Sequence, residues 1–132
     1  MNKCFNNVLL VDDDTVSNFL NEMTLQEMNF SNLIHVTENG KEALHYLRRS
    51  LIGSAEYPDL IFLDINMPVM DGFQFLEEFE KLPLDRRKPI SVIMLTSSNA
   101  SLDISKAKQF NIDGYIVKPL CKSKIEEALK ET

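Results

Sequence analysis

Pro58–Leu76 reads PDLIFLDINMPVMDGFQFL. Its apolar run, Leu60 to Leu63, stops at a carboxylate, Asp64; Pro68 then opens a turn, and Asp71-Gly72 begins a helix. A short, continuously apolar run bounded by breakers is the pattern of a parallel strand buried on both faces. An Asp at its exit lies at the carboxyl end of a buried sheet, where open α/β folds bind ligands. Taken alone, Asp64 is equally well explained as a strand terminator bonded to turn backbone. The rest of the chain has to discriminate.

The chain has 132 residues, enough for a single domain with a real core, and we read 1–132 as one unit with no output domain. A hydrophobic content of 44% and a charged content of 26% are ordinary for a globular protein. The formal net charge of -6 argues against a nucleic-acid surface, which needs a basic patch. No apolar run approaches the length of a membrane span, and the N-terminus lacks a basic region followed by an apolar one; a cytoplasmic location is expected. Cys4 and Cys121 have no C-x-x-C company, and the fold puts them at opposite ends of the sheet, so two free thiols are expected.

Val8 to Val11 is a second apolar run ending in carboxylates, Asp12, Asp13 and Asp14. Val16, Phe19, Leu20 and Met23 then follow helical spacing, predicting an amphipathic helix with these residues in the core and Asp14 or Thr15 as its cap. Leu33–Thr37 reads as a strand, Asn39-Gly40 as a turn, and Lys41 to about Ser50 as a helix with Ala43, Leu44 and Leu47 inward. The third helix buries Phe75, Leu76, Phe79 and Leu82, and Asp85 to Pro89 reads as a charged loop. Ile90–Leu95 is the fourth strand, Leu102 to Phe110 the fourth helix, Gly114–Val117 the fifth strand, and Ile125, Ala128 and Leu129 mark the fifth helix. Strict alternation requires crossovers, hence a parallel sheet with helices on both faces. Right-handed crossovers favour a flavodoxin-like, doubly wound α/β fold of strand order 2-1-3-4-5, the first and fifth of five helices on one face and the middle three on the other.

All strand exits then point the same way. Strands 1, 3, 4 and 5 deliver Asp12-Asp13, Asp64, Thr96 and Lys118 to one crevice. Clustered carboxylates repel one another unless a cation sits among them. One or two carboxylates with waters and a phosphate is the usual way a protein holds Mg²⁺. A hydroxyl and a lysine opposite can bind phosphoryl oxygens, and an aspartate can be a nucleophile that forms an acyl phosphate. The set suits phosphoryl transfer to a carboxylate.

VLLVDDD, DLIFLDINMPVMDG, VIMLTS and GYIVKP, in this order and spacing, resemble the receiver domains of two-component response regulators over essentially the whole chain. The resemblance implies that Asp64 is the phosphoacceptor. It implies Mg²⁺ held by Asp13 directly, by Asp12 largely through water, by an Asp64 oxygen and by the Asn66 backbone carbonyl. Lys118, Thr96 and the Ser97 N–H would bind the phosphoryl group, with Lys118 contacting Asp64 beforehand. Thr96 and Tyr115 would form the switch, and Lys118-Pro119 matches a bond typically cis in the family. The resemblance further implies a phosphohistidine donor, on a sensor histidine kinase or a phosphotransfer protein, and a downstream protein target. Such a protein would be a monomer or weak dimer and would catalyse only its own phosphorylation and dephosphorylation, so it is not an enzyme in the ordinary sense. Asn66 and Ser98 occupy the two positions that tune acyl-phosphate lifetime in the family.

Two other readings compete. Asp12-Asp13-Asp14-Thr15-Val16 also fits D-x-D-x-[TV], the nucleophile motif of haloacid-dehalogenase-type phosphatases, with Asp12 as nucleophile. That reading leaves Asp64 unexplained and finds no second acidic motif after Lys118. A phosphorylation-independent binding module would leave the complete residue set without purpose. His35 and His45 lack partners at ligand spacing, Arg86-Arg87-Lys88 reads as a solvated loop, and Asp71 reads as a helix cap with Gly72 permitting close packing. The remaining methionines and phenylalanines at helical spacing are expected in the core.

Overall fold

The computed structural model describes residues 5–87, 89–96 and 101–130. β1 (Phe5–Val11), β2 (Ser31–Thr37), β3 (Leu60–Asp64), β4 (Ser91–Thr96) and β5 (Gly114–Val117) form one parallel sheet of order β2-β1-β3-β4-β5. The helices are α1 (Thr15–Glu27), α2 (Gly40–Leu51), α3 (Gly72–Phe79), α4 (Leu84–Arg87), α5 (Ser101–Ala107) and α6 (Lys122–Lys130). The strand order and the doubly wound layering are those expected.

Alternate residues of the central strands feed two cores. Leu9, Val11, Ile61, Leu63, Val92 and Met94 pack against α2, α3 and α5 through Leu47, Phe75, Leu76 and Ala107. Val8, Leu10, Leu60, Phe62, Ile93 and Leu95 pack with Leu25 of α1 and Ile125 and Ala128 of α6. Both sides of β1, β3 and β4 are therefore dry, which is why those strands read as unbroken apolar runs.

Three differences from expectation have physical causes. The loop expected at 85–89 begins with a one-turn helix, α4, so there are six helices rather than five among the described residues; it buries no residue and left no periodic trace. β2 starts at Ser31, two residues early, because Phe5 and Asn7 of β1 pair with Ser31 and Leu33. The third difference is α1. Val16, Phe19, Leu20 and Met23, expected in the core, are 64%, 63%, 49% and 41% exposed, while Asn18, Asn21 and Leu25 face inward. The rotation of α1 is set at its first turn, where Asp14 accepts from the Val16 and Ser17 N–H groups and Asn18 Nδ2 donates to Asp12 O at 2.8 Å. Those bonds turn the 18–21–25 row toward the sheet. Asn18 Oδ1 and Asn21 Nδ2 are buried without a partner as a result.

Candidate functional site

Register brings the acidic groups level. Val11 pairs with Leu63, so the next residue of each strand, Asp12 and Asp64, emerges side by side at the carboxyl end of the sheet. Asp64 pairs with Leu95, placing Thr96 one step further out on β4, and Thr96 pairs with Val117, placing Lys118 one step beyond that. Lys118 N donates to Thr96 O at 2.8 Å, which ties the two strand exits together.

Asp12 is 1% exposed, and each of its oxygens accepts one hydrogen bond. Its Oδ1 accepts from Asp14 N at 3.0 Å and its Oδ2 from Lys118 Nζ at 2.7 Å. Asp64, 5% exposed, lies 3.3 Å from the same ammonium. Asp13 is exposed at the rim, and one carboxylate oxygen from each of Asp12, Asp13 and Asp64 falls within 4.8 Å of the other two. Burial, then the charge of Asp12, pushes the Asp64 carboxyl up from 3.8 to about 6, with Lys118 pulling partly against them. Burial alone would lower Lys118, but the Asp12 hydrogen bond and the Asp64 and Asp12 charges outweigh it and hold the ammonium above its ordinary value. Two buried carboxylates thus share one ammonium, and a third carboxylate stands beside them at the rim.

That imbalance is the test of fit for a metal. Converging carboxylate oxygens, one at the rim and two buried, are a hard all-oxygen donor set, suited to a small divalent cation that keeps some of its waters. The Asn66 backbone lies just beyond, in the exposed loop after β3. Thr96 is buried, Tyr115 on β5 is 37% exposed, and the Lys118–Pro119 bond is cis. Ser97 and Ser98 lie outside the described residues, as does Cys4; Cys121 is a free thiol.

Asp14 caps α1, accepting also from the Ser17 hydroxyl at 3.1 Å. The second acid of the phosphatase motif is therefore spent on a helix terminus. Asp71 caps α3 in a reciprocal box with Gln74, and a Cβ on Gly72 would stand 2.5 Å from Asp64 O, so glycine alone permits that approach. His35 stacks on Tyr46 with centroids 4.2 Å apart, remote from the acidic group, and burial, then Arg49, lowers its pKa. Two residues bonded to the elements around the site were not singled out from the sequence: Asn18, which holds the Asp12 carbonyl, and Gly40, read only as part of a turn, whose N–H donates to Met70 O at 2.9 Å in the loop after β3.

The fold and the site define a domain of the doubly wound α/β class with an acidic cluster at its strand ends. The sequence pattern described as "Response regulator receiver domain" matches residues 8–130, and the chain belongs to that family. It is similar to the chemotaxis protein CheY of Halobacterium salinarum, 32% identical over 126 residues that make up 94% of this chain and 93% of that one. Among solved structures, a two component response regulator from Cytophaga hutchinsonii superposes with a TM-score of 0.88 at 27% identity, covering 98% of this chain and 97% of that one. The Mn²⁺-bound form of response regulator Rcp1 superposes with a TM-score of 0.75 at 26% identity, covering 95% and 90%. The chain spans about half the length of several other curated relatives it matches. The protein is a phosphorylation-activated switch of two-component signalling, and nothing in these likenesses favours the phosphatase or the inert binding module. Among the described residues no helix is long and apolar enough to cross a membrane.

Proposed function

We propose that Asp64 accepts a phosphoryl group from a phosphohistidine, and that the resulting charge resets the surface formed by α5, β5 and α6. The observation that carries this reading is a nearly buried carboxylate at the end of β3, 3.3 Å from Lys118 Nζ and within 4.8 Å of the carboxylate oxygens of Asp12 and Asp13.

Asp13, an Asp64 oxygen and the Asn66 carbonyl would hold Mg²⁺ directly, with Asp12 helping largely through metal-bound water. When bound, the cation supplies positive charge against which the phosphoryl oxygens are neutralised. The chain's own residues do the rest. Asp64 presents a carboxylate oxygen to the incoming phosphorus, and the P–N bond to the donor histidine breaks as the P–O bond forms. Lys118, which contacts Asp12 and Asp64 together, turns to a phosphoryl oxygen. Thr96 and the Ser97 N–H take another, and the inward movement of Thr96 leaves room for the exposed ring of Tyr115. A two-state surface is biased in this way by one local charge. Water later cleaves the acyl phosphate.

The partners are a sensor histidine kinase or a histidine phosphotransfer protein upstream and a protein target downstream. The chain promotes only its own phosphorylation and dephosphorylation. With a net charge of -6 it offers no nucleic-acid surface, and it acts in the cytoplasm as a monomer or weak dimer.

Intact-protein mass after incubation with acetyl phosphate tests the reading. The expected result is a gain of one phosphoryl group that requires Mg²⁺ and is lost in Asp64→Asn. Release of phosphate that survives Asp64→Asn would return the phosphatase reading.

A further inference from the structure

The loop joining β3 to α3 carries Asn66 and is held at two places. At its base, Gly72 donates its N–H to Ile65 O at 2.8 Å. At its tip, Met70 N donates to Pro68 O at 2.7 Å across Val69, whose φ is 68°. That is a tight three-residue turn in a left-handed conformation that a β-branched residue adopts only under strain. A strained turn persists where its surroundings hold it.

The hold comes from another element. Gly40, buried as the first residue of α2, donates its N–H to Met70 O at 2.9 Å. A Cβ on Gly40 would lie 2.8 Å from Met70 Cγ, 3.1 Å from Met70 Sδ and 2.9 Å from Met70 O. The thioether arm can swing aside. The carbonyl oxygen cannot, because it is the acceptor of the bond that brings Gly40 there. Any side chain at this position therefore levers the tip of the loop away from α2. The base is locked at Gly72, so the displacement falls on the residues between, Asn66 among them.

We propose that Gly40 is a positioning residue for the divalent-cation site: by fixing Met70 it sets where the Asn66 carbonyl stands, and so how tightly the cation is held. The proposal rests on the reading of Asn66 as a ligand given above. Groups that orient metal ligands without touching the metal commonly change affinity by about tenfold or more when lost.

The neighbouring residue supplies the control. Asn39 caps α2 through the Glu42 N–H at 2.9 Å. Asn39→Ala therefore weakens the same helix start while leaving the Gly40–Met70 bond in place.

The experiment is thermal unfolding of the full chain in EDTA and across a Mg²⁺ titration, which gives an apparent dissociation constant from the shift of the midpoint. For Gly40→Ala the constant is expected to rise about tenfold. For Asn39→Ala the midpoints fall but the constant stays at the wild-type value. A Gly40→Ala protein with the wild-type constant, whatever its midpoint in EDTA, overturns the proposal alone. A wild-type midpoint that ignores Mg²⁺ overturns the metal reading beneath it as well. Should Gly40→Ala not fold, Gly40→Ala in a Met70→Ala background, compared with Met70→Ala, keeps the carbonyl contact and removes the thioether one. Equal constants in that pair overturn the proposal too.

Discussion

Lys118 and Asp12 make the closest ionic contact at the strand ends, Nζ to Oδ2 at 2.7 Å, with the Asp12 side chain 1% exposed. Asp64 shares the same ammonium at 3.3 Å. The lysine has two duties: it neutralises the buried Asp12, and it stands within reach of Asp64, the proposed phosphoacceptor.

Removing it should expose the first duty. Lys118→Met leaves Asp12 and Asp64 buried without their counter-charge, which in a well-buried pair costs several kcal/mol. Because the lysine side chain is 19% exposed, a loss of about 2 kcal/mol is expected, below the roughly 3–5 kcal/mol of a fully buried pair. Urea unfolding in EDTA measures it. Mg²⁺ should then stabilise the variant more than it stabilises the wild type, since the cation meets carboxylates that have lost their ammonium. An equal Mg²⁺ increment in both proteins would mean that lysine and metal do not share the same charges.

Stability should also fall as pH rises through the range in which Asp64 ionises. Its carboxyl, pushed up from 3.8 to about 6, holds its proton more tightly in the folded chain than in the unfolded one. The contribution is fully present below about pH 4, is lost progressively to about pH 6, and is flat above, because both states are then ionised. Its size is at most about 3 kcal/mol. Asp64→Asn should abolish this slope and be the more stable protein at pH 7.5 in EDTA. Urea midpoints between pH 4 and 8 decide it; parallel curves for wild type and variant would refute the raised Asp64 carboxyl.

The strands and their exits were legible because burial on both faces writes itself as an unbroken apolar run, and each run has a hard end: Val11 at Asp12, Leu63 at Asp64, Leu95 at Thr96. Parallel register then brings those ends together without further information. The orientation of α1 was not legible. Spacing shows that Val16, Phe19, Leu20 and Met23 share a face, but not which way it points, and the deciding bond runs from Asn18 to the Asp12 carbonyl. The Gly40–Met70 contact was hidden for a related reason. Asn39-Gly40 reads as a local turn, and only the packing of α2 beside the loop after β3 gives Gly40 its neighbour.

Val69 offers a gain of stability. Its φ of 68° strains a β-branched residue, and its side chain is 74% exposed, so little packing would be lost with it. Val69→Gly should raise stability by about 1 kcal/mol, the relief of left-handed strain less the entropy that glycine adds to the unfolded chain. A thermal midpoint equal to or below the wild type's would show that the Gly40 and Gly72 bonds do not force this conformation.

The rotation of α1 can be checked by which residue carries its packing energy. Phe19 is 63% exposed and Leu25 is 0% exposed; six residues, about 1.7 turns, separate them, which puts them on different faces of one helix. Phenylalanine and serine have similar helix propensities, so Phe19→Ser should change stability by about 0.5 kcal/mol or less. Leu25→Ala opens a cavity beneath the helix and should cost about 2–5 kcal/mol. If the apolar stripe packed on the sheet, the order would reverse, and Phe19 would be the costly position at about 3–5 kcal/mol for its loss. Urea midpoints of the two variants, measured side by side, separate the two arrangements. The first order also leaves Asn18 and Asn21 beneath the helix, where Asn18 ties α1 to the acidic strand end through the Asp12 carbonyl.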